Sequence, residues 1–118
     1  MNPKINYVFA KGATSPDDPE PKICSKPYVN NSCDAIAVEI SGSFTSASVA
    51  FEGKADLNAP EYTSLSGVNL TTFDLTTTAT GKGIWEIGVE GIQVFRARVV
   101  SVSGGDITVL GRCVASSQ

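Results

Sequence analysis

From residue 35 onward the chain alternates apolar and polar side chains in short bursts. Each burst ends at Gly, Ser, Thr or Asn. In Gly83–Glu90, Trp85, Ile87 and Val89 fall on one side and Glu86, Gly88 and Glu90 on the other. A strand turns its side chains to opposite faces at successive residues, so this run predicts a strand with one dry face and one wet face. Phe95, Ala97 and Val99 repeat the pattern against Arg96 and Arg98. Further strands are predicted over 35–40, 44–53, 61–65, 68–75 and 107–113. Pro60 stops the loop that begins at Lys54. Seven or eight short strands about ten residues apart predict an all-β, antiparallel β-sandwich, jelly-roll or Greek-key in its connections.

Two hairpins follow from this reading. With Gly91-Ile92-Gln93 as a three-residue loop, Trp85 pairs with Val99, Ile87 with Ala97 and Val89 with Phe95. Glu86 then meets Arg98 on the wet side. Gly104-Gly105 fits a two-residue turn that sets Val102 against Ile107 and Val100 against Val109. These four residues share a face with Arg96 and Arg98, so that face becomes apolar at one end and calls for a cover.

Residues 1–32 have a different texture and are read as an arm and edge strand preceding a sandwich domain of residues 33–118. Ile5, Tyr7 and Phe9 alternate with polar or smaller neighbours. The stretch from Gly12 to Pro21 is acidic and proline-rich, which bars it from a sheet interior because proline has no N–H to donate. An arm of this kind can add a strand to a neighbour's sheet edge. The expected interface is therefore Ile5, Tyr7 and Phe9 of the arm with Val100, Val102, Ile107 and Val109 of the sheet.

The 118 residues, 42% hydrophobic and 18% charged, suit one domain with a real core and a Ser/Thr-rich surface. The net charge of −3, with nine scattered Lys and Arg, argues against nucleic acid as a partner. No segment approaches the roughly 20 apolar residues of a membrane span, and the first residues do not read as a secretory signal. Synthesis and folding in a host cytoplasm are expected on that basis. The three cysteines, Cys24, Cys33 and Cys113, then read as free thiols, with a Cys24–Cys33 bridge as the alternative.

Catalytic chemistry finds little footing. There is no His, so no Ser-His-Asp arrangement exists. Glu52, Asp56 and Glu61 share a loop region, but their spacing matches no calcium loop. Glu52 and Glu86 are a conceivable carboxylate pair for glycoside hydrolysis, but Glu86 reads more simply as the partner of Arg98. The protein is expected to be no enzyme and to need no metal or cofactor. Tyr28, Tyr62, Arg96 and Arg98 are the candidate ligand contacts, for a glycan or an acidic partner.

The ordered set Ser41-Gly42-Ser43-Phe44-Thr45, Val49-Ala50-Phe51-Glu52-Gly53, Gly83 to Ile92, Phe95-Arg96-Ala97-Arg98-Val99 and Gly104-Gly105-Asp106-Ile107-Thr108-Val109 resembles a small β-sandwich module of tailed-bacteriophage virion proteins. The resemblance spans residues 35–113. The chain departs from the module's pattern at Lys54-Ala55-Asp56, where the group carries Ser-x-Asp. The resemblance implies a phage structural protein, a capsid decoration protein or a tail or baseplate component, located in the virion. Its expected partners are copies of itself, a trimer among the assemblies, and other phage structural proteins. A carbohydrate-binding module that recognises host-surface glycans is the alternative.

Overall fold

The computed structural model describes residues 6–14, 28–29 and 33–114. Eleven strands are present among them: β1 (Asn6–Ala13), β2 (Tyr28–Val29), β3 (Ala35–Ser43), β4 (Ser46–Lys54), β5 (Thr63–Ser64), β6 (Gly67–Asn69), β7 (Leu75–Thr76), β8 (Thr78–Ala79), β9 (Gly83–Gly88), β10 (Val94–Ser103) and β11 (Asp106–Val114). They form two antiparallel sheets packed as a sandwich. One sheet runs β1-β11-β3-β9-β6-β7. The other runs β2-β10-β4-β5, with β8 also paired to β4. The predicted fold class stands. The strand predicted over 68–75 is instead the tight β6–β7 hairpin. Ile5, Cys24 and the proline-rich stretch from Ser15 to Pro21 lie outside the described residues.

The alternation did identify the inward residues between Trp85 and Val99. Trp85, Ile87, Val89, Phe95, Ala97 and Val99 are all buried in one core. They do not reach it from one hairpin, however. β9 pairs with β3 and β6 in the first sheet, while β10 pairs with β4 and β2 in the second. The link at residues 89–93 carries the chain from one sheet to the other, and the backbone bonds Val89 N–H to Asp34 O and Gln93 N–H to Lys54 O hold it. Period-two burial states that a strand has a dry face. It does not state whether a second dry face lies beside it or across the roughly 10 Å between stacked sheets. The expected Glu86–Arg98 pair fails for this reason, because the two side chains lie on opposite outer faces of the sandwich.

The Gly104-Gly105 turn is likewise a crossing between sheets. It runs beside the β3–β4 crossing at Phe44-Thr45, and Thr45 N–H donates to Ser103 O. Gly105 is required there. Its φ is +151°, and a Cβ on it would collide with the Ser43 carbonyl. A bulge between Val99 and Ser101 then reverses the parity of the end of β10. Val100 faces outward at 41% exposure, and Val102 turns in at 6%. Ile107 and Val109 are fully buried from the other sheet. Val102, Ile107 and Val109 therefore belong to the core and not to an interface, and of that group only Val100 is exposed.

The N-terminal strand also belongs to this core. β1 pairs with β11 through two register shifts and forms the sheet's edge. Tyr7 and Phe9, expected in an intermolecular arm, are buried. Phe9 meets Phe95 across the sandwich at 5.6 Å between centroids, as Phe51 meets Trp85 at 6.3 Å. Such aromatic pairs are worth about 0.5–1.5 kcal/mol beyond the area they bury. Gly111 makes room for the first pair, since a Cβ there would stand 2.5 Å from Phe9 Cε2.

A Cys33–Cys113 disulfide ties a residue two positions before β3 to the end of β11, with Cα atoms 5.5 Å apart. This overturns both cysteine expectations. Free thiols were expected, and the bridge kept as the alternative was the short loop from Cys24 to Cys33. The antiparallel β3–β11 pairing, which sets Ile36 against Cys113, instead brings residues 80 apart together.

Candidate interaction surfaces

The outward residues of the second sheet collect the charged candidates. In the β4–β10 register Arg96 lies opposite Glu52, and Arg98 lies opposite Ala50. Glu52 thus sits between the two guanidinium groups. It accepts from Arg96 Nε at 2.8 Å, from Arg98 Nε at 3.1 Å and from Arg98 Nη2 at 2.9 Å. Its carboxyl is held below the ordinary value, first by the Arg98 hydrogen bond and then by Arg96, against an opposing effect of burial. The Arg96 guanidinium lies 3.8 Å from the centroid of the Tyr62 ring, and Lys54 Nζ lies 4.7 Å from the same ring. Burial, the largest cause, raises the Tyr62 hydroxyl above its usual range.

Three of the four candidate contacts, Tyr62, Arg96 and Arg98, are therefore neighbours. β2 pairs Tyr28 with Phe95 through the backbone, beside the cluster, and the Tyr28 side chain lies outside the description. The cluster is closed on itself. Glu52 occupies both arginines, and a cation already stacks on the Tyr62 ring that a sugar would need. Apart from the exposed Val100, the β4–β10 part of this face is short and hydroxylic, with Ser46, Ser48, Ser101 and Ser103. Glu86 stands on the other sheet, so Glu52 and Glu86 cannot flank one bond. Asp56 accepts a hydrogen bond from Asn58 N–H within its own loop. No cluster of three metal-ligating side chains occurs among the described residues.

The outer face of the first sheet has the opposite character. Val8 pairs with Leu110, Leu110 with Glu39 and Glu39 with Ile84, and Leu70 N–H donates to Ile84 O. One row across the sheet therefore reads Val8, Leu110, Glu39, Ile84, Leu70. The next row carries Arg112, Ala37, Glu86, Val68 and Leu75. Nine large apolar side chains are exposed among the described residues. Seven of them, Val8, Leu70, Phe73, Leu75, Ile84, Leu110 and Val114, stand on this face or on the hairpin at its edge. A groove of about 410 Å³ opens there between Val8, Leu110, Ala37 and Ile84, with Tyr7 and Gly111 also lining it and Glu39 and Arg112 contributing its charges.

The hairpin tip is the most exposed part of this patch. Phe73 is 74% exposed and Leu75 is 70% exposed. Phe73 holds φ at +66°, a left-handed conformation rare for a bulky residue. Asn69 builds the turn: its Oδ1 accepts from Thr71 and Thr72 N–H, and its backbone carbonyl accepts from Phe73 N–H. Sequence reasoning passed over this site. One sign of it was present, because the apolar spacing Val68, Leu70, Phe73, Leu75 breaks period two between 70 and 73, beside an Asn able to nucleate a turn.

The family model described as XepA matches residues 4–113. The crystal structure of the SPBc2 prophage-derived protein YomS superposes with a TM-score of 0.81 at 33% identity, covering 96% of this chain and 94% of that one. The crystal structure of the PBSX exported protein XepA superposes with a TM-score of 0.81 at 20% identity. It covers 94% of this chain and 37% of that chain, so the protein described here spans little more than a third of that relative. Among curated proteins, none matches the sequence. The chain belongs to the XepA family, a phage-derived family of β-sandwich proteins.

Proposed function

We propose that the protein is a non-enzymatic structural component of a phage particle, working by protein–protein contact through the outer face of the β1-β11-β3-β9-β6-β7 sheet. The observation that carries this reading is the concentration of exposed apolar side chains on that single face. Clusters of exposed apolar side chains on a soluble protein mark interaction sites, and seven of the nine large ones exposed among the described residues stand here. The opposite face, with its internally paired charges and its hydroxyls, offers no comparable driving force. The family's phage origin supports the setting. The Cys33–Cys113 bridge supports a working place outside the reducing cytoplasm, in keeping with the exported relative. The sequence has no His, which leaves out a Ser-His-Asp arrangement within it.

The reading is tested by adding purified protein to particles assembled without it and measuring co-sedimentation. The native protein is expected to bind. A variant with Ile84→Lys and Leu110→Lys, both on the exposed face, is expected to bind at least tenfold more weakly while melting as the native protein does. Equal binding by both proteins, or none by either, would remove the role assigned to this face.

A further inference from the structure

We propose that Lys54 and Arg96, on the outer face of the second sheet, form with the Tyr62 hydroxyl a seat for a carboxylate side chain of a partner protein. The inference adds a charge-directed contact to the apolar face of the first sheet, and it takes from that reading only that the partner is a protein. Closed to a sugar, the cluster is still not neutral. Lys54, Arg96 and Arg98 gather beside a single carboxylate, Glu52, in a chain whose net charge is −3. Glu52 answers the two arginines and not the lysine. Lys54 Nζ makes no hydrogen bond or ion pair among the described residues, and rests against the Tyr62 ring at 4.7 Å from its centre. Arg96 gives Nε to Glu52 and lays its guanidinium 3.8 Å from the same centre, so its two terminal nitrogens meet no acceptor among the described residues.

The strand register explains the convergence. Lys54 lies opposite Val94 and Glu52 opposite Arg96, which makes Lys54 and Arg96 diagonal neighbours on one face. Thr63 lies opposite Gly53, and this brings Tyr62 beside Lys54. Asp56 and Glu61, the acidic residues of the adjoining loop, form no ion pair with either cation among the described residues. Two cations turned toward one ring repel each other, and an aromatic face offsets that weakly where water still reaches. An anion between them gains from both. Lys54, Arg96 and Tyr62 are all partly buried, which reduces screening by salt. Burial also keeps the proton on Tyr62, so its hydroxyl is a donor. A carboxylate continues a pattern the sheet has already begun. The row runs Arg98, Glu52, Arg96, with Glu52 accepting three charge-assisted bonds. A second carboxylate beyond Arg96 extends the alternation of charge to Lys54, and the terminal edge of a guanidinium offers paired donors that match it.

Calorimetric titration of the full chain with a blocked hexaglutamate peptide tests the seat. The native protein is expected to bind, and the affinity should fall about tenfold from low to physiological salt. Lys54→Gln removes one cation and leaves the Glu52 pairs in place. It is expected to keep the native melting profile and to bind the peptide at least tenfold more weakly. Lys54→Glu supplies the anion from within, so its melting temperature should rise while peptide binding is lost. A native protein that does not bind hexaglutamate overturns the proposal, and so does equal binding by the native protein and both variants. Binding of inorganic phosphate or of phosphatidylglycerol vesicles in place of the peptide assigns the cations to a phosphate group and also overturns it. Particle co-sedimentation separates this inference from the reading of the first sheet. If the Ile84→Lys, Leu110→Lys variant loses the particle while the native protein ignores hexaglutamate, the apolar face stands and the carboxylate seat alone falls. If the peptide binds as expected while that variant keeps the particle, the seat stands and the apolar face loses its role.

Discussion

Removing the Cys33–Cys113 bridge, by reduction or as a double Cys→Ala variant, should destabilise the fold by several kcal/mol. The bridge joins residues 80 apart. Closing a loop of that length in the unfolded chain removes conformational entropy equivalent to about 4.5 kcal/mol at 25 °C, within the 2–5 kcal/mol usually lost when a native disulfide is removed. A domain of this size has about 5–15 kcal/mol in total, so the loss is a large share. The unfolding entropy expected for such a length puts the fall in Tm at about 15–20 °C for the full effect. The bridge sits where Tyr7 of β1 approaches Cys33, with the hydroxyl 3.7 Å from Sγ, so the sheet edge should loosen with it. Urea titrations followed by Trp85 fluorescence, with and without reductant, measure the difference. The reduced protein should show a lower midpoint. Its slope should be steeper, because the uncrosslinked chain exposes more surface on unfolding. Thiol titration of the denatured, unreduced protein should find one free thiol, and peptide mapping should find Cys33 linked to Cys113. Three free thiols, or matching midpoints in the two titrations, would refute the reasoning.

Glu52→Gln should cost about 1–2 kcal/mol, less than a fully buried ion pair, since the arginine ends remain partly exposed. Because the Glu52 carboxyl is depressed below 4.5, its stabilisation is fully present above the ordinary carboxylate range. It is lost as the pH falls through the lower folded value. The native protein's stability below pH 4.5 should therefore fall more steeply than the variant's, which thermal melts across that window would reveal. Gly111→Ala should cost about 1–3 kcal/mol by displacing Phe9, and the cost should shrink in a Phe9→Leu background, as a double-mutant cycle in urea can show. Deletion of residues 1–13 should unfold the protein rather than release an intact sandwich, because Tyr7, Phe9, Ala10 and Ala13 leave the core with it; a truncated chain with native circular dichroism would contradict this.

Alternation along single strands was enough to establish the class of fold and the identity of most inward residues. It works because burial on one side of a strand is a local property, written at every second position. It identified Trp85, Ile87, Val89, Phe95, Ala97 and Val99 as interior, and Arg96 and Arg98 as outward. Everything that depends on which strand lies beside which was settled only by the tertiary structure. Glu52 is the partner of Arg98 because β4 pairs with β10 across more than forty residues. Cys113 finds Cys33 because β11 lies against β3. Val102 turns inward because a single bulge reverses the parity after Val99. Tyr7 and Phe9 are core because β1 fills an edge of its own sheet. The apolar face itself was invisible in any one segment, since no strand contributes more than two exposed large apolar residues and only their lateral alignment makes a surface. Local sequence encodes the faces of strands, whereas the cooperative pairing of distant strands decides which faces meet and which are left to water.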